Sequence, residues 1–182
     1  SWDPARPHTV AYLTRGSIVL RQADTSRIVW RAPVSLLHAD LEWSGDGKLL
    51  AVRSRTRITV LDANGHELRE ISLLGAELGS MAFEPGTHRL AVTVKSAPRS
   101  EVRLIDVDRP GAGSIVFAGP GSFGDLAWSP DHSWLLITWP TADQWVFLHR
   151  QRVQAVGNIR EQFPRADDVS PVLQLAGRWC CQ

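Results

Sequence analysis

Four copies of one sequence unit recur along this 182-residue chain, and an internal repeat constrains the fold more than any other feature of it. The clearest copy is Asp40-Leu41-Glu42-Trp43-Ser44-Gly45-Asp46-Gly47, which runs into Lys48-Leu49-Leu50-Ala51-Val52. Ser80-Met81-Ala82-Phe83-Glu84-Pro85-Gly86 leads in the same way to Arg89-Leu90-Ala91-Val92. Asp125-Leu126-Ala127-Trp128-Ser129-Pro130-Asp131 leads to Trp134-Leu135-Leu136-Ile137. A shorter copy opens the chain with Trp2-Asp3-Pro4, then Thr9-Val10-Ala11-Tyr12. The anchoring aromatics Trp2, Trp43, Phe83 and Trp128 are spaced by 41, 40 and 45 residues.

Each unit carries four strand signals. In the second unit these are Asp40 to Ser44, Leu49 to Arg53, Ile58 to Asp62 and Leu68 to Ser72. Asn64-Gly65 marks the last hairpin, because both residues tolerate the positive φ of a tight turn. The third strands align across units as Ile18-Val19-Leu20, Ile58-Thr59-Val60-Leu61, Val102-Arg103-Leu104-Ile105 and Trp145-Val146-Phe147-Leu148. The fourth strands align as Ile28-Val29-Trp30, Leu68 to Ile71, Ile115-Val116-Phe117 and Val153 to Val156. The second strands are continuous apolar runs, as expected of strands covered on both faces. Turn formers interrupt every run, so a helical reading fails. The period is that of a four-stranded propeller blade.

The expected fold is therefore all-β: a β-propeller or partial β-propeller of four four-stranded antiparallel blades. The blades fall at about 1–35, 36–78, 79–122 and 123–165. A tail, 166–182, follows. Its run Val172-Leu173-Gln174-Leu175 could supply a missing inner strand or cap an edge. The first blade starts at its anchoring aromatic and lacks most of its innermost strand. Four blades leave two open edges unless they close into a small ring, pair with another chain or are capped by the tail. Open edges invite association, and a homodimer through them is one expected outcome.

Composition matters mainly for what it excludes. Hydrophobic residues are 43% and charged residues 21%, which rules out a disordered or collagen-like chain. The net charge of +1 gives no global attraction to nucleic acid or anionic membranes. No apolar run is long enough for a membrane-spanning helix. Arg outnumbers Lys 18 to 2, a bias a high-GC genome explains. The opening Ser1-Trp2-Asp3-Pro4 is not a signal peptide and has no initiator Met, so a processed chain or a fragment is expected. Cys180 and Cys181 are adjacent; a strained vicinal disulfide, an intermolecular bridge and two free thiols all stay open.

The repeat resembles the WD-repeat-like blade of TolB-type bacterial propellers. The residues that carry the resemblance are the aromatic-Ser-Pro-Asp/Gly turn, the apolar second strand, a third strand ending in Asp (Asp62, Asp106) and a polar hairpin. Trp43-Ser44-Gly45-Asp46-Gly47 and Trp128-Ser129-Pro130-Asp131 are the cleanest copies. The Gly-His and Trp-Asp dipeptides of true WD repeats are missing, and four blades are fewer than the six or seven usual in that family. The resemblance implies an extracytoplasmic setting, periplasmic or secreted. It says little about function, because such propellers serve as scaffolds, binding domains and enzyme accessories alike.

No catalytic or metal constellation emerges from the sequence. There is no Gly-x-Ser-x-Gly elbow, and His66-Glu67 lacks the second His of a zinc helix. The six His are scattered; His8, His88 and His132 fall at equivalent turns, where solvated side chains are expected. Gly119-Pro120-Gly121-Ser122-Phe123-Gly124 has the letters of a dinucleotide fingerprint but no following helix to hold a pyrophosphate, so it reads as a linker. Asp106-Val107-Asp108-Arg109-Pro110-Gly111 starts like a calcium loop, but Phe117 stands where the bidentate Glu is needed. No cofactor is expected.

Two surface features are left. Glu42 sits in an inner strand where the counterparts are Ala82 and Ala127. It is read as a buried or channel-facing carboxylate, with an ion pair to an Arg the commoner explanation. The turns between second and third strands carry Arg15, then Arg53, Arg55 and Arg57, then Lys95 and Arg99. One face of blades one to three should thus be basic, either as a solvated turn face or as a candidate binding face for an acidic partner. Trp134, Trp139 and Trp145 cluster in the fourth blade as core, with Trp139 beside Pro140 a candidate exposed contact. The expected function is a non-catalytic scaffold or binding module for a protein or peptide. The rivals are an accessory propeller of a larger enzyme, gating it or binding its substrate, and a self-associating half-propeller.

Overall fold

The computed structural model describes residues 1–34, 39–73, 75–150 and 152–162. The expectations for His38, for the tail strand and for Cys180 and Cys181 lie outside the described residues. Strands β1 (Thr9–Thr14), β2 (Ser17–Gln22) and β3 (Ile28–Pro33) form the first sheet. The second is β4 (Asp40–Trp43), β5 (Leu49–Arg53), β6 (Arg57–Asp62) and β7 (Glu67–Ser72). The third is β8 (Glu77–Phe83), β9 (Arg89–Ser96), β10 (Arg99–Asp106) and β11 (Ser114–Pro120). The fourth is β12 (Leu126–Trp128), β13 (Leu135–Trp139), β14 (Gln144–His149) and β15 (Arg152–Gly157). A short helix, α1 (Ile159–Gln162), follows. Each sheet is an antiparallel meander in chain order, as short turns between neighbouring strands require. In the first sheet the innermost strand is reduced to a single bridge between Trp2 and Val10. The array is thus the expected partial β-propeller, with its first blade truncated on the inside.

The apolar second strands are explained by where successive side chains go. In β5, Leu50 and Val52 join the core between the first and second sheets, while Leu49 and Ala51 join the core between the second and third. A period of two then demands apolar residues at every position, because both faces are covered. β9 repeats the arrangement: Leu90, Val92 and Val94 face the second sheet and Ala91 faces the fourth. Each fully buried Leu or Val here contributes about 1.5–3 kcal/mol. Three such cores hold four sheets together, and among the described residues no core joins the first sheet to the fourth. The anchoring aromatics record this. Trp43 and Phe83 are 5% and 6% exposed, whereas Trp2, outside all three cores, is 58% exposed.

The turn after each inner strand is locked by side chains. Ser44 Oγ accepts the Leu49 N–H at 3.0 Å and donates to Asp46 at 2.7 Å. Ser129 Oγ does the same with the Trp134 N–H at 2.9 Å and with Asp131 at 2.5 Å. The hydrogen bond from Ser129, with those from Ser133, lowers the Asp131 pKa to about 2. The third blade uses a different device. Glu84 replaces the Ser, is 5% exposed, and receives Arg89 through Nε and Nη2 at 2.5 Å each and Thr87 Oγ1 at 2.8 Å. The backbone bond survives in all three, from the Ser44, Glu84 and Ser129 N–H to the carbonyls of Leu49, Arg89 and Trp134 at 2.9, 2.8 and 2.9 Å.

Candidate functional site

The turns between second and third strands present Arg15, Arg53, Arg55, Arg57, Lys95 and Arg99 at one end of the first three sheets, as the topology requires. Their electrostatics are not uniform. Arg53 is drawn inward: its side chain is 19% exposed, it pairs with Asp40, and it donates to the Leu78 carbonyl at 2.9 Å in the next blade. Asp40 lies directly opposite Arg53 in the β4–β5 register, which is why the pair forms. Burial lowers the Arg53 pKa, with the Glu77 charge opposing that shift. Arg55 pairs with Glu77 at 3.2 Å and Arg57 with Glu70 at 3.1 Å, both at the surface. Arg15, Lys95 and Arg99 are exposed and make no ion pair among the described residues. The unpaired positive charge of this face therefore sits on the first and third blades, while the arginines of the second blade are paired with Asp40 and Glu70 of their own sheet and with Glu77 of the third.

Glu42 is half-buried on β4 and already engaged in the fold. Its charge acts to raise the Ser1 amine pKa against a larger lowering by burial. Asp125, at the start of the fourth sheet's inner edge, has its pKa raised by burial, and its N–H donates to Thr138 Oγ1 at 2.6 Å. Trp139 is not an exposed contact. It packs edge-on against Phe117 and Phe123, at 5.9 and 5.3 Å between ring centroids, and donates to the Pro120 carbonyl at 3.1 Å. Trp134 lies against His149 with ring centroids 4.8 Å apart and the planes tilted by 51°. The Gly119–Gly124 segment ends β11 and links two sheets, as its sequence context predicts.

The opposite end of the blades holds contacts that the sequence reading missed. The residue opposite Leu20 in the register is Trp30, and the residue opposite Val60 is Arg69. Both reach across to the outer hairpin of the next blade. Trp30 Nε1 donates to the Ala63 carbonyl at 2.9 Å, and the Arg6 guanidinium donates to the same oxygen. Arg69 donates to the Asp106 and Val107 carbonyls at 3.3 Å each, to Gly111 O at 3.1 Å and to Arg109 O. Gly65 permits the first of these clamps. It sits at φ +86°, and a Cβ there would fall 2.8 Å from the Trp30 ring. The alignment of fourth strands placed both residues on the outermost strand of their blades, but gave neither their register nor the reach of their side chains.

His88 was expected to be a solvated turn residue, and it is instead a bridge. Its Nδ1 lies 2.8 Å from Asp108 and its Nε2 3.2 Å from Asp46, which joins the second blade to the third. Two carboxylate acceptors require both ring nitrogens to donate, so the bridging form is the imidazolium. Burial opposes the charge, but the hydrogen bonds and charges of Asp108 and Asp46 outweigh it and raise the His88 pKa from 6.5. Lys48, 3.1 Å from Asp46, is the nearby competing cation, and Arg109 is held by Asp106 at 3.3 Å. A raised pKa stabilises the fold fully below pH 6.5 and ceases to do so as the pH climbs through the raised value. Thermal melting from pH 6 to 9 should thus show wild type losing about 1 kcal/mol, or about 2–4 °C, that His88→Ala does not lose. Parallel pH profiles would remove the bridge from the account.

No protein-family model matches this sequence, and no curated protein matches it. Solved structures do. One chain of the crystal structure of the mitotic checkpoint complex is 16% identical with a TM-score of 0.65, over 86% of this chain and 48% of that one. Hydrazine synthase of Kuenenia stuttgartiensis is 16% identical with a TM-score of 0.66, over 85% and 47%. The dihydro-heme d1 dehydrogenase NirN in complex with DHE is 19% identical with a TM-score of 0.64, over 82% and 34%. The chain spans less than half the length of these three structures. Likeness at such identities speaks to architecture alone, and the architecture of this chain is that of a partial β-propeller.

Proposed function

We propose that the chain is a non-catalytic interaction module that meets an acidic protein or peptide with the basic ends of its blades. The supporting observation is the set Arg15, Lys95 and Arg99, exposed at equivalent turns and free of ion pairs among the described residues. Arg53 is excluded from the contact set, because it is spent on Asp40 and the Leu78 carbonyl inside the fold. An extracytoplasmic bacterial setting, implied by the TolB-type resemblance, belongs to the same reading.

The test is the triple replacement Arg15→Ser, Lys95→Ser and Arg99→Ser, with a fluorescein-labelled poly-glutamate peptide as probe. Rim charges govern association rate and salt dependence, so affinity at about 50 mM salt should fall about tenfold and the salt slope should flatten. The melting temperature should stay within about 2 °C, since these are exposed positions. Unchanged affinity with an unchanged salt slope would sink the face assignment. A second reading, an accessory propeller of a longer enzyme, is favoured by NirN and hydrazine synthase, which are enzymes by name. A catalytic domain in the full reading frame would separate the two.

A further inference from the structure

At two of the three interfaces between blades, a side chain of the outermost strand clamps the following blade. Trp30 does so at the first interface and Arg69 at the second, each donating to the outer hairpin of the following blade. At the third interface the residue opposite Leu104 in the register is Ser114, too short to reach. A cavity of about 510 Å³ opens between these two blades, on the same end of the array as the other clamps. That volume lies in the range of about 300–1,000 Å³ typical of ligand sites. Its walls include Leu104, Trp128 and Leu148, and its rim carries Arg89, His132, His149 and Arg150.

We propose that this gap receives the tryptophan of an acidic segment of a partner protein, which supplies from outside the clamp that Ser114 cannot. Three observations lead to that guest. The first is the internal precedent: an indole already fills the equivalent place at the first interface, with its N–H on the Ala63 carbonyl. Counted from the aligned Leu61 and Leu148, the counterpart of Ala63 in the fourth blade is Arg150, on the cavity rim. The second is charge. The hairpin beyond β14 presents Arg150 and Arg152, both exposed and without ion pairs among the described residues. These cations repel a guanidinium, the guest that Arg69 would otherwise suggest, and attract carboxylates flanking an indole. Of the two carboxylates at the cavity, Glu84 is paired with Arg89, while Asp131, held by the hydroxyls of Ser129 and Ser133, keeps its charge and is outnumbered by Arg150 and Arg152. The third is an orphan: His149 Nδ1 is buried with no hydrogen-bond partner, in a ring that lines the cavity. A buried, unpaired polar atom is costly and finds compensation when a ligand brings its complement.

The experiment measures anisotropy of a fluorescein-labelled peptide with one Trp between glutamates. The full chain is compared with Ser114→Trp, which puts an indole at the register position that Trp30 holds in the first blade, and with Arg150→Glu, which reverses the rim charge. Binding by wild type should weaken about tenfold or more in each variant, since an aromatic anchor at a desolvated site carries most of an interface's affinity. Replacing the peptide's Trp with Ala, or its glutamates with lysines, should weaken it by a similar factor. The variant lacking Arg15, Lys95 and Arg99 should bind this peptide as wild type does, because those residues lie at the other end of the blades. Absence of wild-type binding, equal binding by Ser114→Trp, or indifference to the peptide's Trp would each overturn the proposal. Loss of binding in the Arg15, Lys95 and Arg99 variant alone would overturn it too, and would leave the basic-face reading standing.

Discussion

Replacing Trp43 with Ala is expected to cost about 3–5 kcal/mol, while the same change at Trp2 costs less than about 0.5 kcal/mol. The two residues hold the same place in their repeats, so sequence alone would score them equally. Burial separates them. Trp43 is 5% exposed in the core between the first and second blades, with Leu50, Val52 and Leu20 around it. Trp2 is 58% exposed at the outer face of the array. Truncating Trp43 removes its transfer energy and leaves a cavity, because the surrounding strands are tied by their ladders and collapse little. Folded domains keep only about 5–15 kcal/mol of net stability, so the Trp43 variant should sit close to its unfolding threshold. Trp43→Phe should cost far less, since the indole N–H it deletes is buried without a partner. Urea unfolding of the three variants checks this. Equal losses at Trp2 and Trp43 would mean that the outer face of the first blade is covered in solution.

The second large effect concerns the pair that replaces the serine lock in the third blade. Arg89→Ala should cost about 3 kcal/mol, because it leaves the Glu84 carboxylate nearly buried and held only by Thr87. Glu84→Ala should cost less, since the Arg89 side chain is 47% exposed and can turn to water. The double change Glu84→Ser with Arg89→Leu restores the pattern of Ser44 and Leu49, and should recover most of the loss. Adding the double variant Glu84→Ala with Arg89→Ala closes a double-mutant cycle whose non-additivity measures the pair directly. If Glu84→Ser with Arg89→Leu is as unstable as Arg89→Ala, the turn of the third blade depends on more than its side-chain lock.

Much of the fold was legible because it is written four times. One aromatic, one tight turn and one apolar strand in phase exclude a helical bundle or a parallel sheet without any knowledge of contacts. The truncated first blade was legible for the same reason, since the repeat showed which strand was missing. The site was legible only in part. The basic turn residues could be assigned to one end of the blades by counting strands. Which of them are free could not, because that depends on carboxylates such as Glu77 and Glu70 brought up from other strands. Arg53 is the exception that could have been anticipated, as its partner Asp40 stands directly across the hairpin.

The sequence by itself determined the all-β class, the number of blades, the strand order and the two apolar faces of each second strand. These follow from local turn chemistry and a period of two, which act over a few residues. The tertiary structure alone decided what crosses between blades: the His88 bridge to Asp46 and Asp108, the reach of Trp30 and Arg69, and the gap between the third and fourth blades. Those contacts join residues some 20 to 40 positions apart whose side chains meet only after the sheets have stacked. Their energies depend on burial and on distances of a few ångströms, and neither is encoded in a spacing along the chain.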